Sequence, residues 1–123
     1  MVYPNGEIFR GVYKNDVRHG NGLSVNRITG IIYRGEYREG EMQGHGVLYC
    51  PPGEIIEANF GPGGKIQDGK IKILYTNGEY FEGDFKGSKR NGRGIHYFKN
   101  GDIYEGEFMN DKRVGKGKMT FKD

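Results

Sequence analysis

A frame of large rings and glycines recurs along the whole chain, and it limits the possible folds more than any other feature. In its last copy, within Gly101 to Gly117, the frame reads Tyr104-x-Gly106-x-Phe108, then Gly115-x-Gly117. On a strand Tyr104, Gly106 and Phe108 share one face, because successive side chains point to opposite sides. Earlier copies read Phe9-x-Gly11-x-Tyr13 with Gly20-x-Gly22, Tyr33-x-Gly35-x-Tyr37 with Gly44-x-Gly46, and Phe81-x-Gly83-x-Phe85 with Gly92-x-Gly94. One copy is degenerate: Ile56-x-Ala58-x-Phe60 replaces the triplet, and Gln67 and Gly69 fall at the later glycine places. The leading glycines Gly6, Gly30, Gly53, Gly78 and Gly101 are 24, 23, 25 and 23 residues apart. In every copy the second ring precedes the first place of the Gly-x-Gly pair by seven residues. A fixed internal distance with slack only between copies marks a structural repeat.

The chain therefore divides as one array, 1–123, with units 6–29, 30–52, 53–77 (degenerate), 78–100 and 101–123. Residues 1–5 read as the remnant of a preceding unit, since Val2-Tyr3-Pro4-Asn5-Gly6 parallels Leu74-Tyr75-Thr76-Asn77-Gly78. Both ends fall inside the pattern. The chain is expected to be a fragment of a longer array, or one whose open edges meet partner strands or another copy.

Each unit reads as a β-hairpin with a period-two first strand. The spacing predicts turn centres at Asp16-Val17, Gly40-Glu41, Gly63-Gly64, Ser88-Lys89 and Asp111-Lys112. Asn5-Gly6, Asn77-Gly78 and Asn100-Gly101 join units, and Asn-Gly is a strong hairpin signal because both residues tolerate positive φ. The expected fold is all-β: an elongated, single-layer antiparallel meander of five β-hairpin repeats, about ten strands and roughly 45–50 Å long at ~4.8 Å per strand. In the last unit this register sets Phe108 against Gly115, Gly106 against Gly117 and Tyr104 against Met119, so that rings lie over glycines. On the other face it pairs Glu105 with Lys118, Glu107 with Lys116, Asp84 with Arg93, Glu57 with Lys70 and Glu36 with His45. The altered third unit, with Ala58, Gln67 and Pro62, predicts a kink or changed twist there.

Composition agrees. The 23 glycines of 123 residues far exceed the usual ~7% and lack the Gly-X-Y period of collagen. Nine Tyr and seven Phe argue against a disordered linker. A hydrophobic content of 34% predicts a thin molecule. The single cysteine, Cys50, forms no internal disulfide, which fits a reducing compartment. No apolar run reaches the ~18 residues of a membrane span, and the start has no signal-peptide core. The expectation is a cytoplasmic protein.

The ring-Gly-ring triplet, the seven-residue step to Gly-x-Gly and the period near 23 together resemble the MORN (membrane occupation and recognition nexus) repeat, over essentially the whole chain. The chain departs from that pattern in its third unit and in lacking Trp. The resemblance implies a curved or twisted rod made of one sheet. It also implies an interaction scaffold, often cytoskeletal or ciliary, sometimes homo-oligomeric or attached to a lipid kinase or methyltransferase, with a proposed association with acidic phospholipid.

No enzyme is expected, and no catalytic, cofactor-binding or metal-ligating residues are assigned. His19, His45 and His96 fall in different units, whereas a metal needs converging ligands. Cys50 has no partner base in its unit. The Gly-x-Gly pairs lie between strands, not before the helix a phosphate loop requires. Two surfaces remain. The rings Phe9, Tyr13, Tyr33, Tyr37, Phe60, Phe81, Phe85, Tyr104 and Phe108 form one face, which a single layer leaves partly open as a candidate aromatic groove. Lys86, Lys89, Arg90, Arg93, Lys112, Arg113, Lys116 and Lys118 crowd around the last two turns as a candidate basic rim for an acidic protein or phosphoinositide. Nucleic acid fits less well, because the rings face away from much of the charge. Three functions stand open: a non-catalytic scaffold for protein partners or another copy, an acidic-phospholipid module, and a regulatory or targeting module of a larger enzyme.

Overall fold

The computed structural model describes residues 6–61 and 65–122. The remnant at 1–5, the Asn5 half of the first joint, Pro62, the Gly63-Gly64 turn and Asp123 lie outside the described residues. The strands are β1 (Glu7–Lys14), β2 (Val17–Asn26), β3 (Ile32–Arg38), β4 (Glu41–Cys50), β5 (Glu54–Gly61), β6 (Lys65–Ile66), β7 (Gly69–Leu74), β8 (Tyr80–Lys86), β9 (Lys89–Tyr97), β10 (Ile103–Met109) and β11 (Lys112–Thr120). They form one open antiparallel sheet in sequence order, with the short β6 pairing β5 beside the main path. The fold is thus all-β and single-layered. The third unit does not interrupt the sheet: β4 pairs β5, β5 pairs β7 and β7 pairs β8.

Both sets of turns reverse the chain, but with different geometries. Within units they are two-residue turns at Asn15-Asp16, Glu39-Gly40, Gly87-Ser88 and Asn110-Asp111, one residue earlier than the spacing suggests. Asn15, Asp16, Gly40, Gly87, Ser88, Asn110 and Asp111 all have positive φ, as does Glu39, which is the requirement of a type I′ hairpin turn. The Asn-Gly joints do something else. Gly78 N–H donates to Tyr75 O at 3.0 Å, Tyr75 N–H donates to Glu79 O at 2.8 Å, and the Asn77 carboxamide oxygen accepts Glu79 N–H at 2.9 Å. Of the Asn-Gly pair only the glycine is left-handed, with φ 89°. That is a longer turn closed by a glycine bulge.

Moving each inner turn by one residue moves the register beside it. Phe108 faces Arg113 rather than Gly115, and Glu107 faces Val114 rather than Lys116. A bulge then restores the expected alignment, so that Gly106 faces Gly117 and Tyr104 faces Met119. The same shift occurs in units one, two and four. It divides the labour of the two frame glycines. The first bends the strand: Gly20, Gly44, Gly92 and Gly115 have φ of 71°, 103°, 110° and 50°, a region costly for residues with a Cβ. The second makes room: a Cβ on Gly22 would lie 2.6 Å from Phe9 Cε1, and one on Gly94 2.6 Å from Phe81 Cε1.

On the other face Glu105 and Lys118 are opposite each other as expected. Glu57 faces Lys72 instead of Lys70, and Lys70 reaches Asp84 at 2.5 Å. Asp84 and Glu36 meet their expected partners through the backbone: they accept Arg93 N–H at 3.1 Å and His45 N–H at 2.7 Å beside the bulges. In unit three Gly69 lies opposite Phe85, as Gly44 lies opposite Phe60 and Gly92 opposite Phe108. Gly69 therefore fills the first glycine place, not the second, and buried Ile71 fills the second. The segment between Phe60 and Gly69 is two residues longer than in its neighbours, which the fixed seven-residue step concealed.

Candidate interaction surfaces

Most of the ring face is closed. Phe9, Tyr33, Tyr37, Phe60, Phe81, Phe85, Tyr104 and Phe108 are all buried, and of the nine rings only Tyr13, at 41% exposure, opens to solvent. The rings fill most of their own face, and a small cavity of about 310 Å³ remains between units one and two, lined by Arg18, Ser24, Tyr33, Tyr37, Met42 and Leu48. They pack edge-on in a zigzag: Phe9 on Tyr37, Tyr37 on Tyr33, Tyr33 on Phe60, and further along Tyr104 on Phe108 and Phe108 on Phe81, with centroids 5.0–5.5 Å apart. Edge-to-face contacts of this kind add about 0.5–1.5 kcal/mol beyond area burial. The Tyr33 hydroxyl donates to Glu36 O at 3.0 Å and the Tyr104 hydroxyl to Glu107 O at 3.1 Å, so each phenol spans its frame glycine. Burial pushes the Tyr33 phenol up to about 12.

Arginines cap these rings, which sequence reasoning missed. The residue opposite the second ring of the unit is Arg18, Met42, Ile66, Arg90 or Arg113. The Arg18 guanidinium lies 4.5 Å from the Phe9 centroid and 5.6 Å from Tyr37. Arg90 lies over Phe81 and Phe108, and Arg113 over Phe98 and Tyr104, at 5.1–5.5 Å. Each contact is a cation–π interaction worth about 0.5–2 kcal/mol. A signal was available: Arg18, Arg90 and Arg113 each stand two residues before the first frame glycine.

Arg90 also staples units four and five. Its Nη2 donates to Asp111 O at 2.6 Å, and its backbone N–H donates to the Asp111 carboxylate at 2.8 Å. Its Nη1 lies 3.4 Å from His96 Nδ1. A guanidinium only donates, so His96 Nδ1 accepts and Nε2 carries the proton. That Nε2–H points at Glu79 Oε1, 2.9 Å away. The His96 hydrogen bond holds the Glu79 carboxyl below the usual range. His96 faces Phe81 across the hairpin.

The structure also divides the eight rim residues. Arg90 and Arg113 belong to the ring face. Lys86 and Lys89 face each other across the Gly87-Ser88 turn, and Lys112 begins the strand after the neighbouring turn; all three are exposed. Arg93, opposite Glu107, and Lys118, opposite Glu105, lie on the face away from the rings. Lys116 is exposed on the last strand. A shallow cavity of about 660 Å³ opens on the ring-free face, walled by Glu57, Lys70, Lys72, Glu82, Arg93 and Glu105. Its charges alternate in sign. Among the described residues no group of three or more His, Cys, Asp or Glu could hold a metal ion. Among the described residues no helix is long and apolar enough to cross a membrane. The Cys50 thiol is pushed up by burial and by the Glu54 carboxylate, the opposite of an activated thiol.

Known proteins resemble parts of this chain. Protein TIC 100 of Arabidopsis thaliana is 28% identical over an alignment of 72 positions that covers 53% of this chain and 8% of that protein. The chain thus spans under a tenth of that relative's length. Among solved structures, the SAS-4 (dCPAP) TCP domain of Drosophila melanogaster, in complex with a proline-rich motif of Ana2 (dSTIL), aligns over 98% of this chain and 70% of that one. Its identity is 17% and its TM-score 0.46, too loose a likeness to bear on function. The MORN repeat family model matches residues 9–25, 33–55, 81–103 and 104–123, which together are more than half of the chain. With ring triplets and bulge glycines at the places described above, the chain belongs to the MORN repeat family.

Proposed function

We propose that the chain is a non-catalytic scaffold that holds protein partners. The MORN repeat is a general, non-catalytic repeat module. The observation that supports the reading most is the division of labour between the two faces. Rings and arginines stabilise the sheet from one side. The other side of ten strands and both rows of turns stay available. We read this scaffold as cytoplasmic, at cytoskeletal or ciliary structures, or as the targeting part of a larger lipid kinase or methyltransferase, a reading that family resemblance supports. The test is direct. Immobilised at micromolar concentration, the chain should retain specific proteins from a cell extract or bind a second copy of itself. If it does neither, the scaffold reading falls.

A second reading, binding to acidic phospholipid, rests on Lys86, Lys89 and Lys112, exposed lysines at the neighbouring turns of units four and five. Near an anionic surface each is worth roughly 1 kcal/mol. Co-sedimentation with phosphoinositide vesicles should fall when Lys89 and Lys112 become Glu. Unchanged binding would remove this reading.

A further inference from the structure

The ladders align one row of side chains across the whole sheet, on the face away from the rings. Ile8 faces Val25, Val25 faces Ile32, Ile32 faces Tyr49 and Tyr49 faces Ile55. The row continues through Leu74, Tyr80, Tyr97 and Ile103 to Thr120. Up to Ile103 every member is apolar or aromatic, and none is buried; Leu74 is 40% and Tyr97 37% exposed. At ~4.8 Å per strand the apolar strip, Ile8 to Ile103, is roughly 38 Å long and one side chain wide.

We propose that this strip is a docking site for an amphipathic α-helix of a partner protein, laid along the long axis of the array. The inference rests on the scaffold reading and names its surface and its class of partner. The shape of the strip selects among occupants. A second copy packed face to face would need several apolar rows, because sheets pack over broad inner faces. The next row instead runs Arg10, Leu23, Arg34, Val47, Glu57, Lys72, Glu82, Ile95, Glu105 and Lys118, mostly charged. An extended peptide crossing the strands would find no free backbone partners on the sheet face and would leave its own groups unsatisfied over apolar side chains. A helix satisfies its own backbone, and its single apolar stripe matches a single apolar row. Beside the strip Glu57, Glu82 and Glu105 alternate with Lys72 and Lys118, which gives an anionic bilayer no surface of one sign. Charge complementarity adds polarity. The partner flank is acidic over Arg10 and Arg34, and mixed in sign over Glu57, Lys72, Glu82 and Glu105. A helix covering the full strip has about 26 residues at 1.5 Å each.

The test uses the full chain with a photo-crosslinking amino acid at one position at a time: Leu74 or Tyr97 on the strip, Tyr13 on the ring face, Lys89 on the turn edge. After irradiation in cell extract, crosslinked partner segments are identified by mass spectrometry. The expected result is crosslinks from Leu74 and Tyr97 to segments with apolar residues at i, i+3, i+4 and i+7. A synthetic peptide of such a segment should gain helicity on mixing with the chain. Its affinity should fall about tenfold or more with Leu74→Glu or Tyr97→Glu, at unchanged strand content by circular dichroism, and stay unchanged with Lys89→Glu. Crosslinks from Tyr13 or Lys89 alone would overturn this inference and leave the scaffold standing. Strip crosslinks only to another copy of the chain, or to non-helical segments, would overturn it too. Absence of protein crosslinks at every position would overturn both.

Discussion

Units three and four are neighbours in the sheet and solve one packing problem in two ways. Unit four places Phe81, fully buried, over Gly94, with Gly83 facing Gly94 across the hairpin. Unit three replaces this ring and glycine pair with Ile56, Ala58 and Ile71, all buried. The side-chain volume removed from the ring position reappears where the glycine was. The backbone responds as steric reasoning requires. The Gly83–Gly94 approach leaves no room for a Cβ on either residue, and correspondingly the ladder from β5 to β7 stops at Glu57–Lys72, before Ala58 would meet Ile71. The added length after Phe60, with β6 pairing β5 there, accommodates that opening. What the fold holds constant is filled volume, not the glycine pattern.

The largest expected effect tests the ring. Phe81→Ala should lower stability by about 3–5 kcal/mol in denaturant unfolding, and Ile56→Ala by about 2 kcal/mol, since less volume is lost. Equal losses would break the comparison. Next, Gly94→Ala should cost about 1–3 kcal/mol through overpacking against Phe81. Adding Phe81→Ile should recover roughly 1 kcal/mol relative to the sum of the single changes; strict additivity would mean that ring and glycine do not compete for space. Gly92→Ala should cost about 1–2 kcal/mol from its left-handed backbone alone, and the Cβ would also meet Asp84. Ala58→Gly should cost only about 0.5–1 kcal/mol, through chain entropy, whereas Gly83→Ala should cost more.

The smallest effect is electrostatic and belongs to unit four. Hydrogen bonds from His96 and Lys70 hold Glu79 and Asp84 below their ordinary carboxyl values. The unfolded chain therefore binds these protons more readily. The stabilisation is complete above the ordinary values of 4.5 and 3.8 and is lost as pH falls through the lower folded ones. A pH series of unfolding midpoints should slope downward in that acid range, and Glu79→Gln should flatten part of the slope. An unaltered slope would separate the Glu79–His96 contact from stability.

Much of this was legible in the residues. Period-two alternation gave the strands, and the recurrence of the frame gave their antiparallel order. The alignment of Gly106 with Gly117 and of Tyr104 with Met119 also followed from spacing. The inner register did not, for a local reason: Asn110-Asp111 and Glu39-Gly40 adopt the tight left-handed turn, while Asn77-Gly78 closes a longer one, and composition alone does not separate these. The unit-three glycines were misaligned because two added residues preserved the appearance of a fixed step. Among the proposed sites, Lys86, Lys89 and Lys112 lie on the expected edge. Arg90 and Arg113 left the rim for the rings: each stands two residues before a frame glycine, on the ring face, and the turn shift set each opposite the second ring of its unit.

The sequence by itself determined that this chain forms a meander of hairpins, because φ preferences and side-chain alternation act within a few residues. Only the tertiary structure decided which face closes and which stays open. Arg18 reaches Tyr37, and Arg90 reaches Phe108, across neighbouring units. The strip from Ile8 to Ile103 exists only when nine strands are in lateral register. Those contacts depend on the bulges and on how each hairpin docks on the next, and no single repeat encodes them.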